Sequence, residues 1–178
     1  MVEISYTAVA AGISAIWLAI RGACWSKSGS VRWLREIQLL LVYICLLVIA
    51  RFTFFPFAHL NGRLQPLLFD AARVFPLQIN LTPLVHLADY PEKREVILNV
   101  VGNTAMFIPV GVIWPAVYRR LDTHRKMIAA GLGFSLCIEI LQLPFFGRVS
   151  DVDDLILNTL GFLLGYGIYL VCKKRRKT

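Results

Sequence analysis

Apolar residues in this chain are gathered into long unbroken runs, with neither the strict alternation of a half-buried strand nor the narrow stripe of a surface helix. The runs cover about residues 4–20, 37–55, 96–118, 127–146 and 154–172. At about 1.5 Å of rise per residue, each is long enough to cross a hydrocarbon core of about 30 Å as a helix. The expected fold class is therefore all-α: a polytopic membrane helical bundle of about five transmembrane helices, making one transmembrane domain over residues 1–178.

Residues 56–95 do not fit that pattern. Leu64, Leu67, Leu68, Phe69, Val74, Phe75 and Leu77 are interleaved with Arg63, Asp70 and Arg73, while Pro66, Pro76, Pro83 and Pro91 cut the stretch into short pieces. Proline removes a backbone donor and ends helices. This is the expectation for an outer interfacial or re-entrant segment between helices two and three, not a crossing. The aromatic cluster of Phe52, Phe54, Phe55 and Phe57, with Pro56, marks an interface at the end of helix two.

Composition agrees with a lipid solvent: 57% of the residues are hydrophobic and 17% charged, against roughly 45–50% and 25% in a soluble domain. The net charge of +8 does not imply nucleic acid, because the basic residues sit beside the apolar runs and form no nucleic-acid motif. Their placement sets topology instead. Arg21, Lys27, Arg32 and Arg35, then Arg119, Arg120, Arg125 and Lys126, then Lys173 to Lys177 account for 13 of the 19 Lys and Arg residues. Short loops rich in Lys and Arg stay in the cytoplasm. The expected arrangement is a multi-pass cell-membrane protein with its N-terminus outside and its basic C-terminus cytoplasmic. The start of the chain lacks the basic region of a signal peptide, so the first run reads as a retained helix. Cys24 and Cys172 fall on the cytoplasmic side and Cys45 and Cys137 within helices, so four free thiols are expected.

Candidate chemistry comes from polar residues inside the apolar runs. Glu139 and Gln142 lie in the fourth run, where an ionised carboxylate costs on the order of 3 kcal/mol and needs a partner, a proton or water. Gly131, Ser135, Glu139 and Gln142 share a narrow helical sector that must face protein. Asn99 and Asn103 repeat the theme in the third run, where Pro109 frees the carbonyl of Ala105. Asp154, Asn158, Gly161 and Gly165 share one face of the fifth, with the small-xxx-small spacing that lets helix backbones approach. The preceding loop supplies Arg148, Asp151 and Asp153. Depth brings these residues to one level. Asn99, Asn103, Asp154 and Asn158 fall within two turns of the outer surface, and Glu139 and Gln142 roughly 6 to 11 Å below it. Arg51 falls in the same layer, giving a polar pocket toward the outer leaflet in which Arg51 or Arg148 pairs with Glu139 and Asp154.

Bland roles exist for the same residues: interhelical hydrogen bonds for the asparagines and Gln142, and a solvated helix cap for Asp151, Asp153 and Asp154. Those aspartates with Glu139 offer oxygen ligands but do not match an EF-hand loop, and His59, His86 and His124 are scattered, so no metal and no cofactor is expected. No familiar catalytic signature is present, which leaves enzymatic activity open, with Glu139 and Asp154 the candidate catalytic groups.

Four segments taken in order resemble the motifs of the VanZ-like family: NLTPL at 80–84, NVVGNTAMFIPVG at 99–111, EILQL at 139–143 and GRVSDVDDLILNTLGFLLGY at 147–166. The resemblance places the family core at about 78–170, with Leu84 where the family often has Phe. It implies a small bacterial membrane protein linked to resistance against glycopeptide antibiotics, notably teicoplanin and other lipoglycopeptides. The polar motif positions it carries over are Asn80, Asn99, Asn103, Pro109, Glu139, Gln142, Arg148, Asp151, Asp154 and Asn158. Without Pro109 these form the expected ligand-binding set. The expected function is binding, in the outer pocket, of a lipid-linked cell-wall component or the lipid tail of an antibiotic. The alternative is an intramembrane enzyme acting on a lipid-linked envelope substrate, with Glu139 as acid or base. A lipid transporter is disfavoured by five helices without an inverted repeat. Membrane lipids are the expected partners, nucleic acid is not, and a homo-oligomer stays open.

Overall fold

The computed structural model describes residues 1–55, 59–60, 63–64, 66–76, 78–83, 93–121 and 123–175. Among them, five helices carry the fold: α1 (Tyr6–Ser28), α2 (Trp33–Phe54), α3 (Lys93–Val117), α4 (His124–Gln142) and α5 (Val152–Arg175). Each apolar run falls largely within one of them, and all five helices extend past their runs into flanking charged or aromatic residues. Ser5 caps α1 by accepting from the Ala8 N–H at 3.2 Å, and Gly29 ends it in the left-handed region at φ 62°. Thr123 caps α4 in the same way. The fourth helix is shorter than its run. It stops at Gln142, where Leu143 closes a tight turn onto Ile140 and Pro144, which has no N–H to give, lends its carbonyl to Asp70.

The helices form one all-α membrane bundle. α1 and α2 run antiparallel, joined by Arg21 to Glu36 at one end and by Tyr6 to the Leu47 carbonyl, at 3.3 Å, toward the other. α3 and α5 are parallel, with Thr104 against Gly161 and Ile108 against Gly165. Both are long and apolar enough to span, so the helix between them must return across the same thickness. With 19 residues, α4 covers about 28 Å. Its three charged residues, Arg125, Lys126 and Glu139, deny it the long charge-poor apolar stretch that each of the other four helices contains. Ile49, Phe107, Val110, Met127, Ile138, Phe162 and Tyr166 form the core between α2, α3, α4 and α5. Leucines and isoleucines such as Ile16, Leu18, Leu41, Ile140 and Leu164 point outward, as a lipid-facing surface requires.

Arginines and lysines gather where α1, α3 and α5 end; this is the basic end. The opposite, polar end is closed by short strands that an all-α reading passes over. β1 (Val2–Ile4) pairs antiparallel with β4 (Leu67–Phe69), and β2 (His59–Leu60) with β3 (Arg63–Leu64). β5 (Ile79–Asn80) pairs in parallel with β6 (Ser150–Asp151), just before α5. The Phe146 N–H donates to the Leu68 carbonyl and the Asp70 N–H to that of Pro144. Residues 67–70 and 79–80, between α2 and α3, therefore lie across the end of the bundle, stitched to the loop after α4. Pro56, Phe57, Leu77, Leu84, His86 and Pro91 lie outside the described residues. Cys24, Cys45, Cys137 and Cys172 are free thiols.

Candidate functional site

Helical periodicity turns one face of α4 inward: Met127, Gly131, Ser135, Ile138, Glu139 and Gln142 are all buried. Gly131 leaves room for the Phe162 ring, and Ser135 accepts from Asn158 Nδ2 on α5 at 3.1 Å. One turn further, Glu139 is 3% exposed, and its Oε2 accepts the backbone N–H of Asp151 at 2.9 Å. Gln142, at the end of the same face, donates Nε2 to the Thr53 carbonyl at 2.8 Å.

That carbonyl belongs to the last turn of α2, where helical oxygens lack intrahelical partners and carry the negative end of the helix dipole. Arg148 uses the next one, donating Nε to the Phe54 carbonyl at 3.2 Å. Burial pulls the Arg148 guanidinium below its usual range, opposed by the charge of Asp154. Asp154 stands in the first turn of α5, where a negative charge is favoured. Its Oδ1 accepts Asn103 Nδ2 of α3 at 2.5 Å, and Asn99, one turn earlier, faces the same carboxylate. Since α3 begins at Lys93, Asn103 lies nearly three turns along it.

Asp151 links this cluster to the covering strands. Its Oδ2 accepts Asn80 Nδ2 at 3.2 Å and its Oδ1 the Asp153 N–H at 2.8 Å. Asn80 in turn accepts the Thr82 N–H at 3.1 Å, fixing the turn that follows β5. All nine polar positions read from the sequence, Asn80, Asn99, Asn103, Glu139, Gln142, Arg148, Asp151, Asp154 and Asn158, thus meet at the polar end or just beneath it.

Arg51 Nη1 donates to the Phe55 carbonyl at 3.0 Å, and its guanidinium lies over the Tyr6 and Phe52 rings. Arg148 is a cation that faces Asp154. Ser135, Thr53 and Asp153 belong to the buried polar set as well. Thr53 takes part through its carbonyl, and a backbone role leaves no mark in the sequence.

Donors and acceptors remain to spare inside the cluster. Arg148 Nη2, Gln142 Oε1 and Asn158 Oδ1 are buried with no hydrogen-bond partner among the described residues, as is Thr159 Oγ1. A buried polar group left unsatisfied costs about 1–3 kcal/mol, so several together at one end of a bundle mark a place suited to a polar guest. Among the described residues no group of three or more His, Cys, Asp or Glu side chains is arranged to hold a metal ion.

Known proteins resemble this chain in sequence. The sequence model of the VanZ/LLP1 family matches residues 40–173, a span that holds every cluster residue. Protein VanZ of Enterococcus faecium is 33% identical over 96 residues, covering 54% of this chain and 55% of that protein. The uncharacterized membrane protein YwnJ of Bacillus subtilis is 26% identical over 83 residues, covering 47% of this chain and 56% of that one. The chain thus matches a little over half the length of each of these relatives. No solved structure matches it.

Proposed function

This chain belongs to the VanZ/LLP1 family, and from that footing we propose that it protects the cell envelope against teicoplanin-type lipoglycopeptides by binding at its buried polar cluster. The guest is a lipid-linked cell-wall component or the lipid tail and adjoining polar group of the antibiotic. Both reach the membrane from outside, so the reading includes an orientation: the polar end toward the outer leaflet, and the basic end, with the C-terminus, in the cytoplasm. The excess of Lys and Arg at the ends of α1, α3 and α5 supports that orientation.

The observation that carries the reading is the unspent hydrogen-bonding capacity around Arg148. Its buried Nη2 has no partner among the described residues, and the acceptors Gln142 Oε1 and Asn158 Oδ1 are likewise unspent. A guanidinium suits a phosphate or carboxylate, and the carboxamide oxygens suit the hydroxyl and amide donors of a sugar or peptide. Purified protein in detergent, titrated with a soluble short-chain analogue of a lipid-linked cell-wall precursor and with teicoplanin, tests it. Saturable binding lost in Arg148→Gln is expected; equal binding by parent and variant would remove Arg148 from the site.

A second reading rests on Glu139 and Asp154, two buried or partly buried carboxylates close enough for their charges to interact. Paired carboxylates in different surroundings can divide acid and base roles. On this reading Glu139 moves a proton on a lipid-linked envelope substrate while Arg148 and Asn103 hold its polar group. Turnover of such a substrate by the purified protein separates it from binding alone.

A further inference from the structure

A second feature lies at the other end of the molecule. Where α2 begins and α3 ends, a cavity of about 610 Å³ opens between the helices, lined by Arg32, Arg35, Arg119, Arg120, Gln38 and Tyr118. Arg35 is anchored there by its hydrogen bond to the Val117 carbonyl, at the negative end of α3. Glu36, the carboxylate in the first turn of α2, is held by Arg21 across the α1–α2 contact. Four guanidinium groups around one space repel each other, and an anion relieves that repulsion.

The position of the cavity selects among anions. Trp33 and Leu34, 75% and 73% exposed, flank it at the start of α2, and Tyr118 stands at the end of α3. Trp and Tyr favour the level of lipid headgroups. Below them, Ile37, Leu40, Leu41 and Ile44 form an exposed apolar track along α2. A cationic head site thus stands at the end of an exposed apolar helix surface, which is the chemistry of an anionic phospholipid. We infer that this cavity binds the phosphate headgroup of an anionic phospholipid, its acyl chains lying along α2. Basic pockets between membrane helices suit such headgroups through guanidinium pairing with phosphate.

The experiment uses the full chain in a nonionic detergent, titrated with dioleoylphosphatidylglycerol or dioleoylphosphatidylcholine, with native mass spectrometry counting bound lipid. One phosphatidylglycerol should be retained about ten-fold better than phosphatidylcholine. Arg119→Gln with Arg120→Gln, two exposed residues, should erase about that ten-fold preference, as expected of two charges near a headgroup. Arg125→Gln with Lys126→Gln removes the same charge at the same end but outside the cavity, and should leave the preference within two-fold. Equal retention of the two lipids, or an equal loss in both double variants, would overturn the site. Displacement of phosphatidylglycerol by millimolar phosphate, beyond the effect of chloride at matched ionic strength, would assign the cavity to a soluble phosphate and overturn the lipid assignment.

Discussion

Gly161 of α5 and Thr104 of α3 meet so closely that a Cβ on the glycine would stand 2.0 Å from the Thr104 carbonyl oxygen. Gly165 repeats the contact one turn on against Ile108, and Gly111 returns it from α3 against the Phe162 carbonyl. Backbone stands on the far side in each case, so neither helix can yield without sliding. Gly161→Ala or Gly165→Ala should therefore cost about 1–3 kcal/mol, the range for overpacking, read as a lower unfolding temperature in detergent. Gly167→Ala, with nothing within 4 Å of its added carbon, is the control and should be neutral. Unchanged melting of both close-contact variants would show that α3 and α5 do not pack through these glycines.

The Asn103 to Asp154 hydrogen bond ties the same two helices nearer the polar end. Asn103→Ala takes a donor from a carboxylate in a sheltered place, at an expected cost of about 1–3 kcal/mol. Asp154→Asn removes the charge that the donor serves, so the two losses should not add. A double-mutant cycle on unfolding in detergent should give a coupling of at least about 0.5 kcal/mol. Strict additivity would mean that the two side chains act independently.

The five helices and the inward face of α4 were legible because both follow from periodicity. A run of apolar residues as long as the bilayer has one common solution, and Gly131, Ser135, Glu139 and Gln142 fall on one face of any helix containing them. The helix ends were less legible, since α1 and α5 continue through charged flanks that hydropathy discounts, while α4 stops just short of Pro144. Depth placed Arg51 level with Glu139, but depth fixes height and not direction around the axis. The structure turns Arg51 to Phe55 and Tyr6 and puts Arg148 beside Asp154. The parallel pairing of Ile79 and Asn80 with Ser150 and Asp151 had no signal at all. Two residues are too few for a period, and their partners are about seventy positions away.

The proposed orientation makes a labelling prediction. Cys24 and Cys172 are exposed and lie near the basic end, whereas Val149 is 45% exposed in the loop at the polar end. In intact cells, a membrane-impermeant thiol reagent should leave Cys24 and Cys172 unlabelled. It should react with Val149→Cys in a background free of native cysteines. Lysis should expose Cys24 and Cys172 to the reagent. The reverse pattern would put the polar cluster on the cytoplasmic side and end the proposal that it meets an extracellular antibiotic.

Glu139 offers the sharpest functional test, because its carboxylate is buried at 3% exposure and accepts the backbone N–H of Asp151. Glu139→Gln keeps the size of the side chain, and the amide oxygen can still accept that N–H, so the β6 to α5 connection should stay in place. Abundance in the membrane should remain near that of the parent. What the variant lacks is the negative charge and the ability to carry a proton, and with them any teicoplanin protection conferred by the parent should fall to the level of cells without the protein. Asp154→Asn should weaken protection in the same direction, since it withdraws the charge facing Arg148. Binding and chemistry then separate by what is lost with Glu139: affinity for the lipid-linked ligand in the first case, turnover with affinity kept in the second. Full protection by Glu139→Gln at equal abundance would show that the ionised carboxylate serves neither role, leaving Glu139 as a structural acceptor that fixes the start of α5.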